Sequence, residues 1–276
     1  MRFYTDPNTM AAAAAAINPS IQQIAATPQA RWVGEWTPDV RADVDRYVTA
    51  ATKLAQIPVV VIYAIPVRDG GSYSAGGVQT PAAYRTLVDQ VAAGIRGRLC
   101  GVVLEPDALA AMDQYLTAAQ QADRVAMLAY ANQHLTRVYT DIGHSRWHPA
   151  AEAARRLRAV RAQGFSLNVS GFLTTEEEEA YGEQVAASTG LRYVIDTSRN
   201  GNGPPPPYPL NWCNPPGRAL GVAPTTTTKG AHCDAYLWVK HPGESDGDNP
   251  AGAPPSGHWW NDYALDLLRR AQEKQA

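Results

Sequence analysis

Length, composition and charge exclude several classes of protein. A chain of 276 residues, 45% hydrophobic and only 18% charged, reads as a compact globular protein with large buried segments rather than a disordered one, and its length suits one α/β barrel of roughly 250 residues. Lys plus Arg is 24 against 26 Asp plus Glu, for a formal charge of −2, and no basic run exceeds two residues; a phosphate-binding stripe is therefore absent, and nucleic acid is not an expected partner.

In chain order, Arg2–Tyr4 is a candidate strand. The alanine run Ala11–Ala16 is too short to cross a membrane and meets Pro19, so no membrane partner is expected; the start at Met1-Arg2-Phe3-Tyr4 reads as a mature chain given an initiator Met. Candidate strands follow at Arg31–Trp36, Val59–Ile65, Gly101–Leu104, Thr136–Thr140, Ser166–Val169, Tyr193–Ile195 and Ala235–Val239. Helical patterns lie between them at Pro38–Leu54, Thr80–Ile95, Asp123–His134, Pro149–Ala162 and Thr175–Thr189, with a last helix near His258–Arg270. Wholly apolar strands such as Pro58–Ile62 alternating with helices predict a parallel sheet covered on both faces. Seven or eight such units predict a closed or nearly closed barrel, with a doubly wound sheet as the alternative.

Two segments interrupt the rhythm. Gly201–Gly221 holds Pro204–Pro207, Pro209, Pro215 and Pro216, and Gly243–Gly257 is rich in Gly, Pro and Asp. Long loops of this kind inside a compact domain are usually functional. The run Glu176–Glu179 follows Thr174-Thr175, where capping and the helix dipole account for it.

The acids fall at strand ends. Asp69, Asp107, Asp141, Asp196 and Asp246 each follow a predicted strand, and in an α/β barrel those ends open onto one face. Asp196 alone reads as well as a helix cap. Converging carboxylates raise one another's pKa, which keeps one protonated to serve as a general acid. Paired acids beside seven Trp and thirteen Tyr point to glycoside hydrolysis. No metal and no cofactor is expected: the histidines lack ligand spacing, and no loop has a calcium-binding pattern.

At these residues the chain resembles glycoside hydrolase family 6, cellulases acting on β-1,4-glucan. The matching blocks are Tyr63–Asp69 with Gly71–Gly77, Leu104–Leu109, Asp141–His144 with Trp147, Ile195–Gly201, Trp212–Arg218, Asp234–Lys240 and Pro242–Gly247. The resemblance implies a distorted parallel (β/α) barrel, residues 1–276 as a single catalytic domain, and inverting hydrolysis giving the α-anomer. It implies Asp107 as the general acid, Asp69 as the group that holds Asp107 protonated, and Asp246 as the base, acting through water. Tyr63, Arg68, Asp141 and His144 would line the reacting subsite, and Trp32, Trp147 and Trp212 would stack on glucose rings. Lys240 and Glu244 would bond hydroxyls, and Ser74 would sit in a closing loop. The resemblance also implies a secreted enzyme, and the expected partner is cellulose or cello-oligosaccharide met by a monomer.

The chain departs from the family in its cysteines. Gly70, Gln114 and Asp248 stand where family members carry disulfide partners, so Cys213 is expected either free or paired with Cys233. The shortness of the stretch between Asp246 and the last helix favours an open-cleft endoglucanase over a cellobiohydrolase with a roofed site. A non-catalytic glucan-binding protein would be expected to lose Asp107 or Asp69, and both are present.

Overall fold

The computed structural model describes residues 2–207 and 209–274. Its centre is one parallel sheet of seven strands whose spatial order is their chain order: β1 (Arg31–Val33), β2 (Val59–Ile62), β3 (Gly101–Leu104), β4 (Val138–Asp141), β5 (Gly164–Leu167), β6 (Arg192–Asp196) and β7 (Cys233–Leu237). The register pairs Val60 with Val102 and Val102 with Val138, so aliphatic side chains sit level across the sheet. All four β2 residues are buried, as a strand covered on both faces must be. The sheet curls into a distorted barrel that stays open between β1 and β7. A backbone bond from Ala30 N–H to the Trp238 carbonyl, 3.0 Å, crosses that seam.

The expected eighth strand at Arg2–Tyr4 does not form. Phe3 makes one isolated bridge to Ile57, and the chain turns away at Asp6-Pro7. Other strands are shorter than their apolar runs suggest, because the residues past each strand end leave the ladder to build the site. The alanine run becomes helix α1 (Met10–Ile17), capped by the Thr9 hydroxyl, with Ala11 and Ala15 in a buried cluster that also holds Tyr263 and Leu267.

Helices α2 (Val40–Lys53), α3 (Pro81–Ile95), α4 (Ala118–His134), α5 (Ala150–Ala159) and α6 (Thr175–Thr189) cover the outside of the sheet, and α7 (Asn261–Glu273) ends the chain. Their starts are encoded locally. Asp39 caps α2, Thr80 precedes Pro81 at the head of α3, and Thr117 with Gln120 forms a capping box on α4. The predicted Asp123–His134 helix therefore begins a turn earlier. The outer core packs Val44, Val88, Leu128, Leu157 and Val185 from these helices against the sheet. The inner cluster, with Val61, Val103, Val194 and Leu237, fills the barrel below the strand ends.

Candidate active site

A continuous cleft of about 1860 Å³ runs across the C-terminal strand ends. It is lined by Asp69, Asp107 and Asp246 together with Trp32, Tyr63, Arg68, Ser74, His144, Trp147, Trp212, Lys240 and Glu244. Of the site residues expected from the sequence, Asp141 alone does not reach this surface. It is fully buried behind Asp107, and its oxygens accept the Asp107 N–H at 2.9 Å, the Gly143 N–H at 2.9 Å and the Ser166 hydroxyl at 2.9 Å. Asp141 thus anchors the peptide that carries Asp107.

Asp107 itself sits at φ 68°, and Glu105 two residues earlier at φ 50°. Left-handed backbone at non-glycine residues is costly and persists where surrounding bonds impose it. Here the fully buried Glu105 carboxylate accepts the N–H groups of Ala64 and Ile65, at 3.0 and 3.1 Å. That clamp ties the end of β2 to the end of β3 and sets the Asp69 loop against the Asp107 loop. Burial lifts Glu105 to about 7 despite these donors.

The electrostatics separate the acids. Asp107 is pushed well above the carboxylate range, first by desolvation, then by the charges of Asp141 and Asp69. Asp141 is raised as well, again chiefly by burial, but three donors stabilise its anion. Of the two, Asp107 has no donor to its carboxyl, so its protonated form is the more favoured. Asp69 is raised by desolvation, with the Ser74 N–H at 2.8 Å and Arg68 opposing the shift. Asp246 is the opposite case. Despite burial, Arg199 and Lys240 lower it to about 2, with Arg199 at 2.8 Å, Lys240 at 3.0 Å and the Asn214 N–H at 3.0 Å from its oxygens. One face of the cleft holds a protonated acid and another an ionised one.

Arg68 organises the donor wall. Its guanidinium lies over the Tyr63 ring at 4.6 Å and the Trp36 ring at 5.0 Å, and it bonds Glu35, the Tyr63 carbonyl and the Ser74 carbonyl at 2.7, 2.7 and 2.8 Å. Tyr63 in turn meets Trp32 edge to face at 5.2 Å. On the opposite wall His144 and Trp147 stand 5.4 Å apart on a tight turn. Gly143 permits that turn: it has φ 78°, and a Cβ there would lie 2.4 Å from the Trp147 ring. Burial lowers His144 to about 4, so its imidazole is neutral near neutral pH.

Both proline- and glycine-rich segments border the cleft, through Pro204, Pro205, Trp212, Ser256 and Gly257; within the first, Tyr208 lies outside the described residues. Above the site the Ser74 hydroxyl meets that of Ser256 at 2.8 Å, and Tyr73 lies against Trp212 at 5.8 Å.

Arg199, His241, Glu35 and Glu105 carry no expected role in the sequence, and the fold brings each into the structure of the site. Arg199 stands in the Ile195–Gly201 block, and its complete burial is invisible in one dimension. Asp196 is not a cleft acid either. It accepts the N–H groups of Ser170, Ser198 and Lys240, each at 2.9 Å, and knots three strand-end loops together. The Glu176–Glu179 run does begin α6 beneath the Thr174 cap. Two of its members do more: Glu178 accepts the Ser145 N–H and hydroxyl at 3.0 and 2.7 Å, and Glu179 accepts the Gly230 N–H at 2.9 Å.

Cys100, Cys213 and Cys233 are all buried free thiols, so of the two expectations for Cys213 the unpaired one holds. Cys233 opens β7 beneath the sheet, while Cys213 lies in the loop above it, beside the Asn249 carbonyl.

Endoglucanase A of Cellulomonas fimi is 44% identical over 98% of this chain, which spans 61% of that protein's length. The endoglucanase Cel6 of Mycobacterium tuberculosis, solved with methyl-cellobiosyl-4-deoxy-4-thio-β-D-cellobioside, is 48% identical and superposes with a TM-score of 0.94 over 98% of this chain and 97% of that one. A probable 1,4-β-D-glucan cellobiohydrolase C of Aspergillus terreus is more distant, 28% identical over 95% of the chain and 69% of its own. The sequence profile of glycosyl hydrolases family 6 matches residues 4–271, so the chain belongs to that family.

Proposed function

We propose that this chain, taken as one catalytic unit acting outside the cell, is an inverting endo-β-1,4-glucanase that cleaves internal bonds of cellulose-type chains with Asp107 as the general acid. The observation that carries this reading is the carboxyl of Asp107: it is held in the cleft at a strained backbone position, raised by burial and by two neighbouring acids. A group in that state donates a proton to the departing glycosidic oxygen at a pH where free carboxylic acids are ionised. Asp69 keeps the proton on Asp107 until the step; that proton leaves on the 4-hydroxyl, and Asp107 takes a new one from solvent, to which the attacking water has released its own. Inversion requires a water between two carboxyls about 6.5–9.5 Å apart. Asp246 is the ionised partner across the cleft. Held at about 2, it orients the attacking water and passes the released proton on through solvent rather than storing it.

Asp107→Ala tests the acid. Leaving groups as poor as the 4-hydroxyl of glucose need protonation, worth about 10²–10⁴ in rate, whereas an acidic phenol does not. The variant should lose most activity on cellulose chains and retain far more on a dinitrophenyl cellobioside. Equal losses on both substrates would remove Asp107 from this role.

The cellobiohydrolase reading has one observation in its favour, the contact between Ser74 and Ser256, which brings two loops together over the site. The second of these loops is short, lying between Asp246 and the start of α7 at Asn261, and the contact is a single hydrogen bond that a chain can part. Viscosity of carboxymethyl cellulose should therefore fall steeply before many reducing ends appear. Cellobiose release at nearly constant viscosity would establish the exo mode instead.

A further inference from the structure

His241 lies in the loop after β7, where the sheet opens toward β1. Both of its ring nitrogens face acceptors: Nδ1 is 2.7 Å from a Glu244 carboxylate oxygen, and Nε2 is 2.6 Å from the Ala30 carbonyl. A neutral imidazole has only one N–H. The carbonyl contact requires that hydrogen on Nε2, so the Nδ1 contact needs a second proton within the pair. Both side chains are largely enclosed, 17% and 14% exposed, and both line the cleft.

The pair holds this proton as an imidazolium facing a carboxylate. Burial opposes a charged His241, and so does the Lys240 ammonium beside it. The Glu244 charge, its hydrogen bond and the Ala30 carbonyl outweigh them and raise the imidazole. Glu244, also opposed by burial, is lowered by His241 and Lys240. Lys240 is itself committed to Asp246 at 3.0 Å and to the Ser245 carbonyl at 3.2 Å. Across the seam, Ala30 precedes Arg31 and Trp32, and the Trp32 indole N–H donates to the Val239 carbonyl at 2.8 Å.

We propose that His241 is a positioning residue, a protonated strut across the β1–β7 seam that sets Glu244 beside the Trp32 ring, so that the two form one glucosyl subsite whose affinity depends on the proton shared by His241 and Glu244. The proposal rests on the glucanase reading and names a determinant of binding within it. When the proton leaves, the single remaining N–H cannot serve both acceptors, so the bridge from Ala30 through His241 to Glu244 breaks at one end and Glu244 loses its fixed position. The Trp32 platform stays, because its bond to Val239 and the Ala30–Trp238 backbone bond do not titrate. A raised imidazole keeps its interaction below its ordinary pKa of about 6.5 and loses it as pH climbs through the higher folded-state value. Binding should therefore weaken on the alkaline side.

Cellotetraose affinity is measured by calorimetry from about pH 6 to about pH 9 in Asp107→Asn, which prevents turnover, and in Asp107→Asn with His241→Gln. The first protein should lose roughly tenfold in affinity across the range. The second should start roughly threefold to tenfold weaker, about the net contribution of one hydrogen bond, and should show little further loss. Other groups that titrate in this range affect both proteins and cancel in the comparison. Identical affinities and pH dependences would overturn the proposal. Nitrogen-15 shifts of His241 in the unsubstituted protein give a check that does not depend on a variant folding. Protonation of both ring nitrogens at about pH 7 supports the strut, and a neutral ring with hydrogen on one nitrogen overturns it. A wild-type protein in which His241 is doubly protonated but no pH brings cellotetraose binding would overturn the glucanase reading, and the subsite with it.

Discussion

At the residue scale, the aspartates at the ends of the parallel strands and in the loops beyond them take different forms. Asp107 is raised because it is desolvated beside two acids and its carboxyl receives no stabilising donor. Asp141 and Asp196 have backbone N–H groups for partners and serve as anchors. Asp246 is ionised by Arg199 and Lys240. Asp69 matters through its charge: it raises Asp107, so Asp69→Ala should lower the pH at which Asp107 ionises. The alkaline limb of the kcat/KM profile on cello-oligosaccharides should then move toward acid, and overall activity should fall. The sign follows from removing a like charge, which makes the anion easier to form. An unmoved alkaline limb would separate Asp69 from the protonation of Asp107.

At the scale of elements, the cleft walls are held by carboxylates that never touch its surface. Glu105 joins the ends of β2 and β3, and Glu178 joins the first turn of α6 to the turn bearing His144 and Trp147. Burial lifts Glu178 to about 7, and the Ser145 hydroxyl and N–H oppose that shift. Glu178→Ala leaves the half-buried Ser145 N–H without its partner, while the hydroxyl keeps Glu177 at 3.1 Å, at a cost of about 1 kcal/mol. Urea unfolding should show that loss, and KM for cellotetraose should rise severalfold more than kcat falls, because the Trp147 wall loosens while Asp107 and Asp141 keep their bonds. A drop in stability with KM unchanged would reduce Glu178 to a purely structural role. The capping and dipole explanation of Glu176–Glu179 was sound for the helix start and incomplete for the site, because helix periodicity alone does not say which loop lies opposite.

For the whole molecule, the curled sheet has an open seam bridged by Ala30, Trp32 and His241, and its cysteines are unpaired thiols buried at separate points. Burial pushes all three upward, Cys100 and Cys233 to about 12 and Cys213 to about 11, which keeps them as inert thiols rather than reactive thiolates. Titration of the denatured, unreduced protein should therefore find three thiols. A single thiol would reveal a bridge absent from this fold.

The residues by themselves determined the architecture and the family. Apolar runs of strand length, helix caps and the order of the acid-bearing blocks are local properties, written in neighbouring positions, and they led to a parallel barrel with its acids on one face. The tertiary structure decided which acids face the cleft, which one keeps its proton, and which buried partners hold the loops in place. It also dissolved the strand expected at Arg2–Tyr4, since a strand exists only where a neighbour offers a ladder. These features depend on contacts between residues far apart in the chain, such as Arg199 with Asp246 or His241 with Ala30. Burial and charge pairing arise from those contacts, and both act through distances that only the folded chain defines.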